Sequence, residues 1–69
     1  MKALDHLLLE SLRSHLKGKV SYHRANIDVY LVNPVGIGEH PDIMEAIESE
    51  LAKLAEADEK LATLDKYFS

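Results

Sequence analysis

A chain of 69 residues with a formal net charge of −4 forms at most one small domain, near the lower limit for an independent core. It contains no cysteine, which excludes disulfides, iron–sulfur clusters and thiolate zinc sites. The composition therefore predicts one domain, residues 1–69, that gains further burial by oligomerisation.

The first predicted element is a helix over about residues 3–32. Apolar residues recur there at helical spacing without an intervening proline. Gly18 is a weak point, because glycine costs about 1 kcal/mol relative to alanine inside a helix. The spacing continues in phase across Gly18, which favours one long helix, straight or bent there, over two. The stripe consists of Leu4, Leu8, Leu12, Leu16, Val20, Ile27 and Leu31, with Leu9 and Tyr30 beside it.

The segment "NPVGIGEHPDI" predicts a corner. Pro34 drives the preceding Asn33 out of helical geometry, so the first helix should end there. Pro41 suits the first position of a second helix. A connection of about seven residues is typical of an antiparallel helical hairpin. Glycines at 36 and 38 allow a tight turn, and Val35 and Ile37 would fold over the open end of the hairpin.

Glu39 and His40 are the two residues of the corner without a full structural explanation. His40 would occupy the N-cap, where Ser, Thr, Asp or Asn is preferred. The pair would diverge across a helix start, so we expect no metal there, and "VGIG" lacks the spacing of a nucleotide-binding loop. We predict Glu39 and His40 as a possible interaction corner.

The second predicted helix covers about residues 41–67. Its apolar residues alternate spacings of four and three, as in a coiled coil, and Glu50 and Ala57 fall on the same track. Asp42 and Glu45 place negative charge in the first turn, where the helix dipole favours it. The track consists of Ile43, Ile47, Leu54, Leu61, Leu64 and Phe68.

Folding this all-α hairpin about the corner gives a register in which facing residue numbers sum to about 74. His23 then falls near Glu50. The apolar pairings are Ile27 with Ile47, Val20 with Leu54, and Leu12 with Leu61 or Ala62.

The apolar stripes are wider than the seam between two helices. A lone hairpin would expose an apolar patch larger than monomers usually carry. We therefore expect a homodimer in which two hairpins form a four-helix bundle.

No catalytic, metal or cofactor site is expected. No glutamate is followed three residues later by histidine, as bundle metal sites require, and no nucleophile has a recognisable base. The first dozen residues lack the apolar run of a signal peptide or membrane span. These patterns favour a non-enzymatic protein of the cytoplasm without a membrane association.

Nucleic-acid binding is the alternative, through Arg13, Lys17 and Arg24 on one face of the first helix. Residues 1–33 carry a net charge of +2 from five basic and three acidic residues, whereas residues 42–69 carry −5 from three and eight. The basic face is therefore better explained as a solvated face that also complements the acidic second helix.

The segment from "NPVGIGEHPDI" to "ELAKLAEADEKLATLDKYF" resembles small uncharacterised proteins of T4-like tailed phages, notably those of marine bacteria, over residues 33–68. The resemblance implies an accessory protein of the host cytoplasm and no catalytic residues. Together with the residue patterns, it favours a small helical interaction protein that self-associates and binds an unknown protein partner.

Overall fold

A computed structural model, which describes residues 2–32 and 40–69, shows a hairpin of two packed helices. Helix α1 spans Lys2–Val32 and helix α2 spans His40–Phe68. The hairpin is a rod of 53 × 16 × 13 Å. The predicted all-α hairpin is confirmed, and the helix limits lie within one residue of those expected.

Helix α1 runs through Gly18 without a break, so the prediction of one long first helix is confirmed. A Cβ atom added at Gly18 would meet no atom within 4 Å. The predictions for the corner, from Asn33 through Glu39, lie outside the described residues.

The two helices meet along a heptad seam. Its residues follow alternating spacings of four and three, which keeps each stripe on one face of its helix. Leu16, Ile43, Ala57 and Leu64 are its buried apolar members. The seam consists of Leu9, Arg13, Leu16, Val20, His23, Ile27 and Tyr30 from α1, and Ile43, Ile47, Glu50, Leu54, Ala57, Leu61 and Leu64 from α2.

The predicted stripe of α1 was wrong toward both of its ends. Leu4, Leu8, Leu12 and Leu31 are 45–63% exposed. At 3.6 residues per turn, each step of four residues rotates about 40° past a full turn. Leucines spaced four residues apart therefore turn progressively away from α2, whereas residues at alternating spacings of four and three keep facing it. Phe68, expected on the track of α2, is 61% exposed at the end of that helix.

The predicted register is confirmed in the middle of the rod, where His23 contacts Glu50. Toward the free ends of the hairpin, residues of α1 contact residues of α2 with higher numbers than the predicted register gives. Arg13 contacts Asp65, about one helical turn beyond the residue that the register gives.

Candidate functional site

A polar pair lies within the apolar seam. His23 Nδ1–H donates a hydrogen bond to Glu50 Oε2 over 2.6 Å, and the side chains are only 9% and 15% exposed. The hydrogen bond from His23 is the main cause that lowers the pKa of the Glu50 carboxyl, followed by one from Asn26. The pair holds Glu50 as a carboxylate and satisfies His23, so it acts as a polar layer of the seam.

Arg13 makes the second polar contact across the seam. Its Nε and Nη2 donate to Asp65 Oδ1 over 3.1 and 2.9 Å, and its Nη1 donates to Glu10 Oε1 over 2.8 Å. The Arg13 side chain is 16% exposed, whereas those of Glu10 and Asp65 are 52% and 59% exposed. Arg13 thus joins the two helices at the edge of the seam.

One side of the seam carries a groove of about 580 Å³. Leu16 and Leu64 form its buried floor. On its rim, Lys60 Nζ donates to Glu56 Oε1 over 3.0 Å and thereby lowers the pKa of Glu56, an effect to which Lys19 adds across the groove. The other lining residues are Leu12, His15, Glu59, Thr63 and Phe68.

We define the groove flank as the side of the rod that carries this groove. Residues seven apart share a face of a helix in such a seam, so Leu8, Tyr22 and Val29 lie on the same flank as His15. Beside them on α2 lie Lys53, Glu56, Lys60 and Thr63.

The opposite flank carries a smaller recess of about 380 Å³ that includes Glu10, Arg13 and Asp65. By the same spacing of seven, residues 17, 24 and 31 lie on this flank with Glu10, and residues 44, 51 and 58 lie there with Asp65.

Exposed apolar side chains outnumber buried ones. Four apolar residues of the described chain are buried, whereas twelve large apolar side chains are 45–82% exposed. Two packed helices can bury one seam and no more, and that seam here also contains Arg13, His23 and Glu50. The exposed set is Leu4, Leu7, Leu8, Leu12, Tyr22, Val29, Leu31, Val32, Met44, Leu51, Tyr67 and Phe68.

Of the three residues predicted to contact phosphates, only two lie on the same exposed face of α1. Lys17 and Arg24 are exposed on the opposite flank, but Arg13 lies in the seam and is paired with two carboxylates. Glu39 lies outside the described residues, and α2 begins at His40. The interaction corner of Glu39 and His40 therefore stays a prediction.

Within residues 2–32 and 40–69, no group of three or more histidine or acidic side chains is arranged to hold a metal ion. In the same part of the chain, neither helix combines the length and the apolarity needed to cross a bilayer.

The contact between His23 and Glu50 was predicted from the sequence, whereas the contact between Arg13 and Asp65 was not. The signal for it was that Arg13 lies four residues after Leu9 and three before Leu16, on the heptad track. Apolar patterning overlooks such a position, although an arginine stem can pack along a seam while its head reaches the edge.

A scan against protein-family models finds no match, and searches of curated proteins and of solved structures find none either.

Proposed function

We propose that this protein is a small, non-catalytic helical interaction protein that self-associates and then binds another protein. The observation that carries the proposal is the imbalance between four buried apolar residues and twelve exposed large ones within the described chain. Exposed apolar surface on this scale marks a protein interaction surface.

Size and composition support self-association as the first of these interactions. A chain of 69 residues without cysteine has no disulfide to stabilise a two-helix rod. A second hairpin would supply apolar surface of the same kind and complete a four-helix bundle.

The proposed cellular location rests on the resemblance of residues 33–68 to proteins of tailed phages. We propose an accessory role in the cytoplasm of a phage-infected bacterium.

Sedimentation equilibrium of the intact chain tests the proposal. The expected result is a species of twice 7.7 kDa that dissociates on dilution. A mass of 7.7 kDa at every concentration would overturn self-association.

The alternative, nucleic-acid binding, is tested with the same preparation. Because Arg13 is already paired with carboxylates, we expect no binding to single- or double-stranded DNA even at low salt. Binding that weakens with salt and with the variant Lys17→Ala/Arg24→Ala would replace the proposed function with the alternative.

A further inference from the structure

A contiguous apolar surface lies on the opposite flank, in the half of the rod nearer the connection. Leu31, Met44 and Leu51 are 63%, 70% and 54% exposed there. Ile27 lies one turn before Leu31 on α1, Ile47 lies between the other two on α2, and both are half-buried. Residues three and four apart are neighbours on a helix, so these five side chains form one surface across the seam, which we call the apolar patch.

We infer that the apolar patch is the docking site for a different protein, which binds through a basic amphipathic helix. This protein is the second partner of the proposed function, on which the inference rests.

The shape of the apolar patch suits a helix. Met44 and Leu51 are two turns apart, about 10 Å along α2. Leu31 lies across the seam at the height of Met44, so exposed side chains of both helices border a half-buried floor. A helix that lies in such a groove presents apolar side chains at positions i, i+3 or i+4, and i+7, which is the spacing found along α2 here.

Carboxylates surround the apolar patch. Glu48 is exposed on α2 between the two turns of the patch, Glu45 lies one turn before it, and Asp28 lies one turn before Leu31 on α1. Arg24 is the basic residue beside them. The ion pairs among the described residues involve other carboxylates, so none of these three is held in one. Three carboxylates against one guanidinium give the patch an acidic border, which favours lysines and arginines on the partner.

A second copy of this chain does not match that border. With a two-fold axis parallel to the helices, Asp28 would face Glu48 of the second copy, because the two residues lie at the same height. With a perpendicular axis centred on the patch, α2 would face α2, and the two copies of Glu48 would approach each other. Like charges oppose both arrangements. Nine of the twelve exposed large apolar side chains lie outside the patch, where self-association does not meet this border.

Binding of a synthetic peptide to the intact chain tests the inference. The peptide is an amphipathic helix with leucines on one face and lysines on the other, and a second peptide carries glutamate at each lysine position. Fluorescence anisotropy measures both. The lysine peptide should bind, with an affinity that falls as salt is added, and the glutamate peptide should not.

Variants of the patch locate the binding. Met44→Ala/Leu51→Ala should weaken binding of the lysine peptide by at least about tenfold, because it removes the most exposed apolar contacts of α2. The matched control is Leu8→Ala/Tyr22→Ala, which removes exposed apolar side chains from the groove flank and should leave the affinity unchanged.

A second pair of variants tests the acidic border. Asp28→Asn/Glu48→Gln should weaken binding several-fold and reduce its dependence on salt. Its control, Asp42→Asn/Glu59→Gln, makes the same change in net charge at exposed positions away from the patch and should have little effect. Circular dichroism checks that each variant keeps its helices.

Three outcomes would overturn the inference. They are equal affinity for the two peptides, equal losses in the patch variants and their controls, and loss of dimers in sedimentation on Met44→Ala/Leu51→Ala, which would show that a second copy covers the patch. Failure of the lysine peptide to bind a chain that sediments as a dimer would reject the partner proposed here and leave self-association standing. Sedimentation of the native chain as a monomer would instead reject self-association, and the peptide affinities would still decide the docking site.

Discussion

The two polar contacts across the seam differ in their exposure to water. His23 and Glu50 are 9% and 15% exposed and lie in the centre of the seam. Arg13 is 16% exposed, but its partner Asp65 is 59% exposed and lies at the edge. Both contacts join α1 to α2, and both pair a basic side chain with a carboxylate.

This difference in burial determines how much each contact contributes to the stability of the hairpin. A solvated ion pair contributes little to stability, since water and salt screen it. A buried pair is costly to break, because the remaining partner is left without its hydrogen bond. We therefore expect the pair of His23 with Glu50 to fix the register of the hairpin, and the pair of Arg13 with Asp65 to contribute a small amount at its edge.

The largest effect is expected from His23→Ala. This change removes a buried ring and leaves Glu50 without its main partner, so it should lower the free energy of unfolding by about 2–3 kcal/mol. Urea denaturation at one fixed protein concentration measures the change.

The matched control for His23→Ala is the double variant His23→Leu/Glu50→Leu. Replacing both partners of a buried polar pair by apolar residues is often neutral or stabilising. The double variant should therefore be at least as stable as the native chain. If His23→Ala lowered stability no more than Asp65→Asn does, the proposed difference between the two contacts would be wrong.

Acid should weaken the buried contact. The pKa of Glu50 is lower in the folded chain than its ordinary value of 4.5, so the unfolded chain binds the proton more readily. The stability due to ionised Glu50 is thus present above about pH 4.5 and is lost as the pH falls through the folded pKa. Unfolding followed by circular dichroism from pH 6 to pH 3 should show a steeper loss for the native chain than for His23→Leu/Glu50→Leu, and equal slopes would contradict this.

Gly18 lies on α1 between the two contacts, and its replacement should stabilise the rod without altering either contact. A Cβ atom there meets nothing within 4 Å, so Gly18→Ala should raise the free energy of unfolding by about 1 kcal/mol through helix propensity. Thermal unfolding measures the gain. Destabilisation by Gly18→Ala would indicate that α1 bends at this position.

The smallest effect is expected from Asp65→Asn. The change removes the charge that Arg13 contacts at the edge of the seam, while Glu10 still holds the guanidinium. The expected loss is about 0.5 kcal/mol or less, and it should diminish in high salt. Urea denaturation at low and at high salt checks both statements, and a loss as large as that of His23→Ala would contradict them.

Much of the fold was predictable from local chemistry. The positions of Pro34 and Pro41 in the sequence predicted helix limits within one residue of those observed, and the unbroken spacing across Gly18 predicted one long first helix. The contact of His23 with Glu50 followed from folding the chain about its corner, because an antiparallel hairpin has one free parameter, its register.

The exposed apolar surface of the hairpin was less predictable from the sequence. Leu4, Leu8 and Leu12 were expected in the stripe facing α2 because they are apolar and four residues apart, yet they are exposed. Hydrophobicity indicates that a side chain should be buried but not whether its own chain or a second one buries it. Arg13 was missed as a seam residue for the converse reason, since a charged residue on a heptad track is not counted as apolar.

The central claim, that a second copy of the chain covers the exposed apolar side chains, is tested most directly by the concentration dependence of unfolding. For a dimer that unfolds to separate chains, a hundredfold increase in protein concentration stabilises the folded state by about 2.7 kcal/mol. The urea midpoint of the dimer should therefore rise over this range. Superimposable unfolding curves at all concentrations would contradict it.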